Sequence, residues 1–270
     1  MEPLVILVTG STDGIGRQSA LELAAQGHRV VLHGRDPQRL EAAREAVAAN
    51  ASGPTPEAVC ADLSVFDSVA EMAGTLRERY DRIDVLVNNA GVFQRHRRLT
   101  ADGMETTLAV NHLAPFLLTG RLLDRLTAAP AGRIVNLTST IHAQAFDPDV
   151  FLDPKAYDGF LAYSQSKLFN ILFTLGLSER LQGTKVTANC LHPGVINTKL
   201  LRETWHGGDS VSKGARASTF VATNPSLAGV SGVYFVDGRP TRPARVALDE
   251  TVRRRLWELS ETWTGYRYTA

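Results

Sequence analysis

The chain has 270 residues, 44% of them hydrophobic and 21% charged, and its 29 basic and 28 acidic side chains leave a formal net charge of +1. That balance gives no electrostatic reason to expect nucleic acid or an anionic membrane surface as a partner, since both call for a clustered excess of Lys and Arg. Two cysteines, Cys60 and Cys190, are too few for a disulfide framework, and the apolar stretch Leu4 to Val8 is far short of the ~18 residues that span a bilayer. The N-terminus also lacks the features of a signal peptide, so the expected location is the cytoplasm, with no membrane and no nucleic-acid partner.

Short runs rich in Val, Ile and Leu alternate with longer stretches whose apolar residues recur every three or four positions. In chain order these predict a strand at Leu4 to Val8, a helix from Arg17 to Ala25, a strand at Arg29 to His33 and a helix from Pro37 to Ala49. A strand at Ala58 to Ala61, a helix from Val65 to Tyr80 and a strand at Val85 to Val87 follow. The second half continues with a helix from Gly103 to Leu126, a strand at Ile134 to Leu137 and a helix from Leu161 to Leu181. Strands at Val186 to Leu191 and Gly232 to Val236 complete the series. Seven buried strands joined by crossover helices predict an α/β fold, a single doubly wound (Rossmann) parallel sheet flanked by helices, with ligands bound beyond the carboxyl ends of the strands. No linker divides the chain, and residues 1–270 read as one domain.

The first strand ends in Thr9-Gly10-Ser11-Thr12-Asp13-Gly14-Ile15-Gly16, and a helix follows at once. A tight strand-to-helix turn of this kind needs residues without a Cβ, so that backbone N–H groups and the helix N-terminus can approach a pyrophosphate. The nucleotide is expected to be distinguished at the end of the second strand, in His33-Gly34-Arg35-Asp36. An acid there would accept from a ribose 2′-hydroxyl, whereas an Arg pairs with a 2′-phosphate. Gly34 stands where such an acid is expected and Arg35 follows, with Arg17 able to approach from the first helix. NADP(H) is therefore the preferred cofactor and NAD(H) the alternative. Asp36 could equally cap the next helix, and Arg35 could be a solvated surface charge.

Tyr163-Ser164-Gln165-Ser166-Lys167 places a phenol and an ammonium on one helical face. A free phenol, with a pKa of about 10, is a poor proton shuttle near neutrality, and one cation some 5 Å away lowers it by an amount of the required size. Together with Thr9 to Gly16, Asn88-Asn89-Ala90-Gly91 after the fourth strand and Ser139 after Ile134-Val135-Asn136-Leu137, this pair makes the chain resemble the short-chain dehydrogenase/reductase family over essentially its whole length. Within it the chain is similar to retinol-dehydrogenase-like and WW-domain-oxidoreductase-like members, through Val110-Asn111-His112-Leu113, His192-Pro193-Gly194-Val195 and Leu256-Trp257-Glu258-Leu259-Ser260.

The resemblance implies hydride transfer between a nicotinamide and a carbonyl/alcohol pair on a small molecule, with Tyr163 as the general acid/base. It gives Lys167 the tasks of favouring tyrosinate and binding the nicotinamide ribose, Ser139 that of orienting the substrate oxygen, and Asn111 that of holding a water in a proton relay. It assigns the cofactor to Gly10, Ser11, Thr12, Gly14, Ile15, Gly16 and Arg35, with Asp62 and Leu63 on the adenine side. Asn89, Ala90 and Gly91 belong by the same resemblance to the adenosine ribose, and Pro193, Gly194 and Thr198 to the carboxamide, along with Tyr163 and Lys167. Asp62 could equally open the next helix. Segments at about 140–160 and 200–222 are expected to shape the substrate pocket. Relatives pair through helices matching 103–126 and 161–181, which leaves homodimer, homotetramer and monomer open.

Seven histidines fall into no metal-ligand spacing, so no metal is expected. The Arg95-His96-Arg97-Arg98 run reads as a solvated loop or an anion contact at the site mouth. No Gly-x-Ser-x-Gly elbow is present, which disfavours a hydrolase. The rival to an enzyme is a catalytically idle NADP(H)-binding sensor or scaffold on the same fold.

Overall fold

The computed structural model describes residues 2–155, 157–198 and 207–268. Ala156, in the first expected substrate-shaping segment, and residues 200–206 of the second lie outside the described residues. The eight strands are β1 (Val5–Val8), β2 (Arg29–Gly34), β3 (Glu57–Cys60), β4 (Val85–Asn88), β5 (Arg133–Leu137), β6 (Thr187–His192), β7 (Tyr234–Val236) and β8 (Arg239–Pro240). Their spatial order is β3-β2-β1-β4-β5-β6-β7-β8. The first seven run parallel, and β8 is an antiparallel addition at the edge, pairing Phe235 with Pro240. Seven parallel strands were expected. The eighth escapes a hydrophobic reading because its two residues are both exposed.

Why the strands read as unbroken apolar runs is visible in the two faces. Ile6 and Val8 of β1 belong to the core under α1 (Gly14–Ala25) and α2 (Pro37–Ala48), while Leu7 enters the opposite core with α3 (Phe66–Arg79). The same alternation puts Val85 and Val87 of β4 on one side and Leu86 on the other. A parallel sheet covered on both faces has no wet side and so no polar alternation.

Helix starts follow side-chain chemistry. Asp13 caps α1 by accepting from Gly14, and Asp36 caps α2 by accepting from Gln38 and Arg39, with Pro37 at the first helical position. Asp62 does not cap α3; its carboxylate takes the N–H and hydroxyl of Ser64 in a turn, and the helix begins at Phe66.

The helix expected over 103–126 is interrupted. It consists of α4 (Thr106–Leu108), a wide π turn at Ala109–Leu113, α5 (Ala114–Arg121) and α6 (Leu123–Thr127). Pro115 has no N–H for the carbonyl one turn back, and Ala114 donates instead to Ala109, five residues earlier. Asn111 sits in that wide turn.

After β5 come α7 (Asp149–Leu152) and α8 (Gly159–Arg180), the latter capped by Asp158. Among the described residues, α9 (Val211–Thr223) and α10 (Glu250–Thr264) follow. α8 is buried along nearly its whole length. Trp257 and Leu256 of α10 lie in its cores, Arg180 stacks 3.7 Å above the Trp257 ring, and the Tyr268 hydroxyl donates to Phe116 of α5 at 2.7 Å. The apolar surface of α5 and α8 that the sequence offers for pairing is thus covered largely within the chain. Among the described residues no helix is long and apolar enough to cross a membrane.

Candidate active site

The strand order reverses between β1 and β4, and a cavity of about 470 Å³ opens there beyond the carboxyl ends of the strands. Its floor at one end is the Gly-rich turn. Gly10 has φ +64°, and a Cβ on it would stand 2.9 Å from the Cα of Ala90; a Cβ on Gly16 would collide with the Gly10 carbonyl and the Asn89 amide. Asn89 itself donates to the carbonyl oxygens of Thr9 and Gly10 at 2.8 and 3.2 Å. The cradle therefore exists only without side chains at these positions. Asp13 takes the N–H of Gly14, while Ile15 and Gly16, whose first-turn N–H groups have no intrahelical acceptor, line the cavity. That geometry fits a dinucleotide pyrophosphate.

A residue the sequence reading passed over holds the turn in place. His33 accepts the N–H of Gly10 on Nδ1 at 3.0 Å, and its Nε2 lies 3.1 Å from the Ala61 carbonyl, which fixes a neutral ring with the proton on Nε2. Burial pushes its pKa down to about 4. Ser11 is fully buried, with its hydroxyl accepting the His33 N–H at 2.8 Å, and is not among the cavity-lining residues.

Near the end of β2, Gly34, Arg35, Asp62 and Leu63 line the wall. A Cβ on Gly34 would run into the Thr12 methyl, so an acid that would read a 2′-hydroxyl here requires the Thr12 side chain to move. Arg17 does not line the cavity, whereas Arg39 does, 3.4 Å from the exposed carboxylate of Asp13. The two arginines occupy different faces of different helices, and only the fold reveals which one turns inward.

The other end holds the Tyr163–Lys167 pair. Tyr163 and Lys167 both line the cavity from α8, with the Lys167 ammonium 5.3 Å from the Tyr163 ring centre. Both are buried. Burial raises the Tyr163 pKa above its usual 10 and lowers that of Lys167 to about 8. The ammonium donates to the Leu137 carbonyl at 3.4 Å, and Thr138 donates its hydroxyl to the Lys167 carbonyl at 2.7 Å, fastening the end of β5 to α8. Ser139 comes next in the chain, its Oγ accepting the Ile141 N–H at 3.3 Å, which leaves the hydroxyl proton to donate elsewhere. It is 8% exposed and lies beside, not within, the cavity lining.

Asn111 is fully buried. Its amide exchanges two hydrogen bonds with the Val92 backbone, at 2.8 and 3.0 Å, and donates to the Ser166 hydroxyl at 3.0 Å. A Cβ on Gly91 would be 3.5 Å from the Lys167 ammonium and 3.6 Å from the Asn111 amide oxygen, so Gly91, Asn111 and Lys167 meet around one point. Ala90, Asn89, Pro193 and Thr198 line the cavity as well, while Gly194, with φ +99°, does not. In the basic run, Arg97 is spent on the carbonyls of Phe151 and Leu152. Among the described residues no cluster of three potential metal ligands occurs.

A family model described as short chain dehydrogenase matches residues 4–208. Human retinol dehydrogenase 13 is 40% identical over 279 aligned residues, covering 96% of this chain and 84% of its own. Human retinol dehydrogenase 14 is 37% identical, over 98% of this chain and 87% of its own. The crystal structure of an uncharacterized protein from Mycobacterium Paratuberculosis superposes with a TM-score of 0.82 at 30% identity, covering 99% of this chain and 97% of that one. The chain belongs to the short-chain dehydrogenase family of oxidoreductases, as a retinol-dehydrogenase-like member.

Proposed function

We propose that this protein is an NADP(H)-preferring oxidoreductase acting on a carbonyl/alcohol pair of a moderately apolar small molecule, with Tyr163 as general acid/base. The observation that carries the reading is the buried Tyr163 with the Lys167 ammonium 5.3 Å from its ring in the wall of the dinucleotide-shaped cavity. The nicotinamide, when bound, supplies or accepts the hydride. Gly10, Thr12, Gly14, Ile15 and Gly16 hold its pyrophosphate through backbone groups, with Ser11 bracing the turn from beneath. Asp62 and Leu63 border the adenine, Asn89, Ala90 and Gly91 the adenosine ribose, and Pro193, Gly194 and Thr198 the carboxamide. Arg35 reads the 2′-phosphate, a preference supported by the crowded space at Gly34.

In reduction Tyr163 gives its proton to the carbonyl oxygen as negative charge develops there, and in oxidation it takes the proton back. Lys167 lowers the cost of the tyrosinate and anchors the nicotinamide ribose. Ser139 donates a hydrogen bond that orients the substrate oxygen, a fixed donor placed where charge appears. Asn111, through its hold on Val92, keeps a relay water beside Lys167. The exposed apolar side chains Ile141, Leu161 and Val195, close in sequence to Ser139, Tyr163 and Pro193, support an apolar substrate bordered by residues 140–160 and 207–222. The names of the retinol dehydrogenases agree with alcohol/carbonyl chemistry on such a molecule.

The test is oxidation of NADPH and, separately, NADH over a panel of aldehydes and ketones, with Tyr163→Phe as the paired control. The reading expects turnover that prefers NADPH and vanishes in the variant. Nucleotide binding without turnover of any carbonyl would favour a sensor or scaffold instead.

A further inference from the structure

The backbone that leaves β5 and carries Ser139 is held on two sides by histidine rings. His192, at the end of β6, takes the N–H of Thr140 on Nδ1 at 3.3 Å. His142 is bonded on both ring nitrogens: Nδ1 lies 2.7 Å from the Ser139 carbonyl oxygen, and Nε2 accepts the N–H of Ala244 at 3.0 Å. A backbone amide can only donate, so Nε2 bears no proton; a carbonyl can only accept, so Nδ1 bears one. The ring is therefore neutral, in one tautomer, and joins the serine's own carbonyl to the segment following β8. It packs edge-on against Tyr234 of β7, centroids 5.6 Å apart, and borders a second cavity of about 360 Å³ with Gln144, Arg242 and Arg245.

We propose that His142 is a positioning residue for the hydride-transfer reaction. As the neutral Nδ1–H tautomer it clamps the Ser139 turn to residues 242–245 and so sets the direction of the Ser139 hydroxyl toward the substrate oxygen. This rests on the reading of Ser139 given above. The groups facing His142 are His192 from β6, Tyr234 from β7, and Arg242 and Arg245 from the segment beyond β8; His192 in turn faces Asp237 and Lys213. Burial lowers the His142 pKa below its ordinary 6.5, against the opposing pull of the hydrogen bond to the Ser139 carbonyl. The clamp holds at neutral pH and opens only in acid, where a protonated Nε2 can no longer accept from Ala244.

The experiment compares wild type, His142→Ala and His142→Asn in single-turnover hydride transfer from NADPH to a carbonyl substrate, with the nucleotide Kd measured separately. Asn places an amide N–H where Nδ1–H stands and can keep the bond to Ser139. The clamp predicts that His142→Ala slows transfer about tenfold or more while NADPH affinity stays within about twofold, and that His142→Asn, which keeps the bond to Ser139 but has no atom to accept from Ala244, recovers only part of the rate. It also predicts that the wild-type loss of rate toward acid pH disappears in His142→Asn. Equal rates in wild type and His142→Ala would overturn the proposal, as would full recovery of the wild-type rate by His142→Asn, which lacks the bond to Ala244. Imidazole nitrogen NMR of the NADPH-bound wild type reads the tautomer without any turnover, and a proton on Nε2 refutes the clamp. Should the wild type reduce no carbonyl, the enzymatic reading fails; faster amide exchange at Ile141 and Ala244 in His142→Ala would still report the clamp itself.

Discussion

Replacing Lys167 by Met keeps the length of the side chain and removes only its charge. The ammonium stands 5.3 Å from the centre of the Tyr163 ring. At an effective dielectric of about 20, that separation corresponds to about 3 kcal/mol of preference for tyrosinate, or about two pKa units. Burial opposes it by raising the phenol above its usual 10, and it also lowers the ammonium to about 8, so Lys167 is still mostly charged at pH 7. The origin of the cost differs between directions. In alcohol oxidation Tyr163 acts from its ionised form, so a higher phenol pKa lowers the ionised fraction at neutral pH. In reduction the phenol is already protonated at neutrality, and the cost appears as slower proton transfer. Lys167→Met is therefore expected to slow both directions at pH 7, where the ammonium is still mostly charged, by about tenfold to a hundredfold. Stopped-flow absorbance of the reduced nicotinamide measures both, at saturating nucleotide because Lys167 is also assigned to the ribose. Oxidation and reduction rates at pH 7 both within about threefold of wild type would refute the electrostatic account of Tyr163.

Gly34→Asp alone is expected to bind neither nucleotide well, since its Cβ meets the Thr12 methyl, whereas the double variant with Thr12→Ser removes that methyl and should raise the ratio of NADH to NADPH affinity; nucleotide fluorescence titrations decide between them. Gly16→Ala puts a Cβ against the Gly10 carbonyl and the Asn89 amide, and urea denaturation should show a loss of about 1–3 kcal/mol together with lost nucleotide binding. Buried His33, His112 and His192 have pKa values pushed down to about 4, about 3 and about 4 from an ordinary 6.5. The unfolded chain thus takes up protons first as pH falls, so their contribution to stability is complete above pH 6.5 and is lost progressively toward pH 3–4. Urea unfolding measured across pH 4–7 should show this slope, shallower in His33→Asn; an unchanged slope would mean that His33 is not buried as a neutral ring.

The groups proposed to react stand out in the sequence because such chemistry demands particular side chains at local spacing: a Tyr and a Lys one helical turn apart, and glycines where a strand meets a helix. The strands were legible for a different reason, since a sheet with no wet face imposes continuous apolar runs. What escaped was whatever depends on backbone atoms or on small residues. Asn111 is oriented by the peptide of Val92, Lys167 by the carbonyl of Leu137, and His142 by the amide of Ala244, partners that any residue type could supply. α9 carries a weak apolar signal because, apart from Val221, its buried positions are Gly, Ala, Ser and Thr, which allow close approach: a Cβ on Gly214 would stand 3.0 Å from Ile15 of α1. The break at Asn111 had one local sign, Pro115, but an uninterrupted apolar period concealed it. Side-chain identity thus reports what a site can do, while the precision of the site lies in main-chain contacts between segments distant in sequence. Substitutions at His142 and His33, which carry no reactive role of their own, are for that reason the sharper probes of how the site is held together.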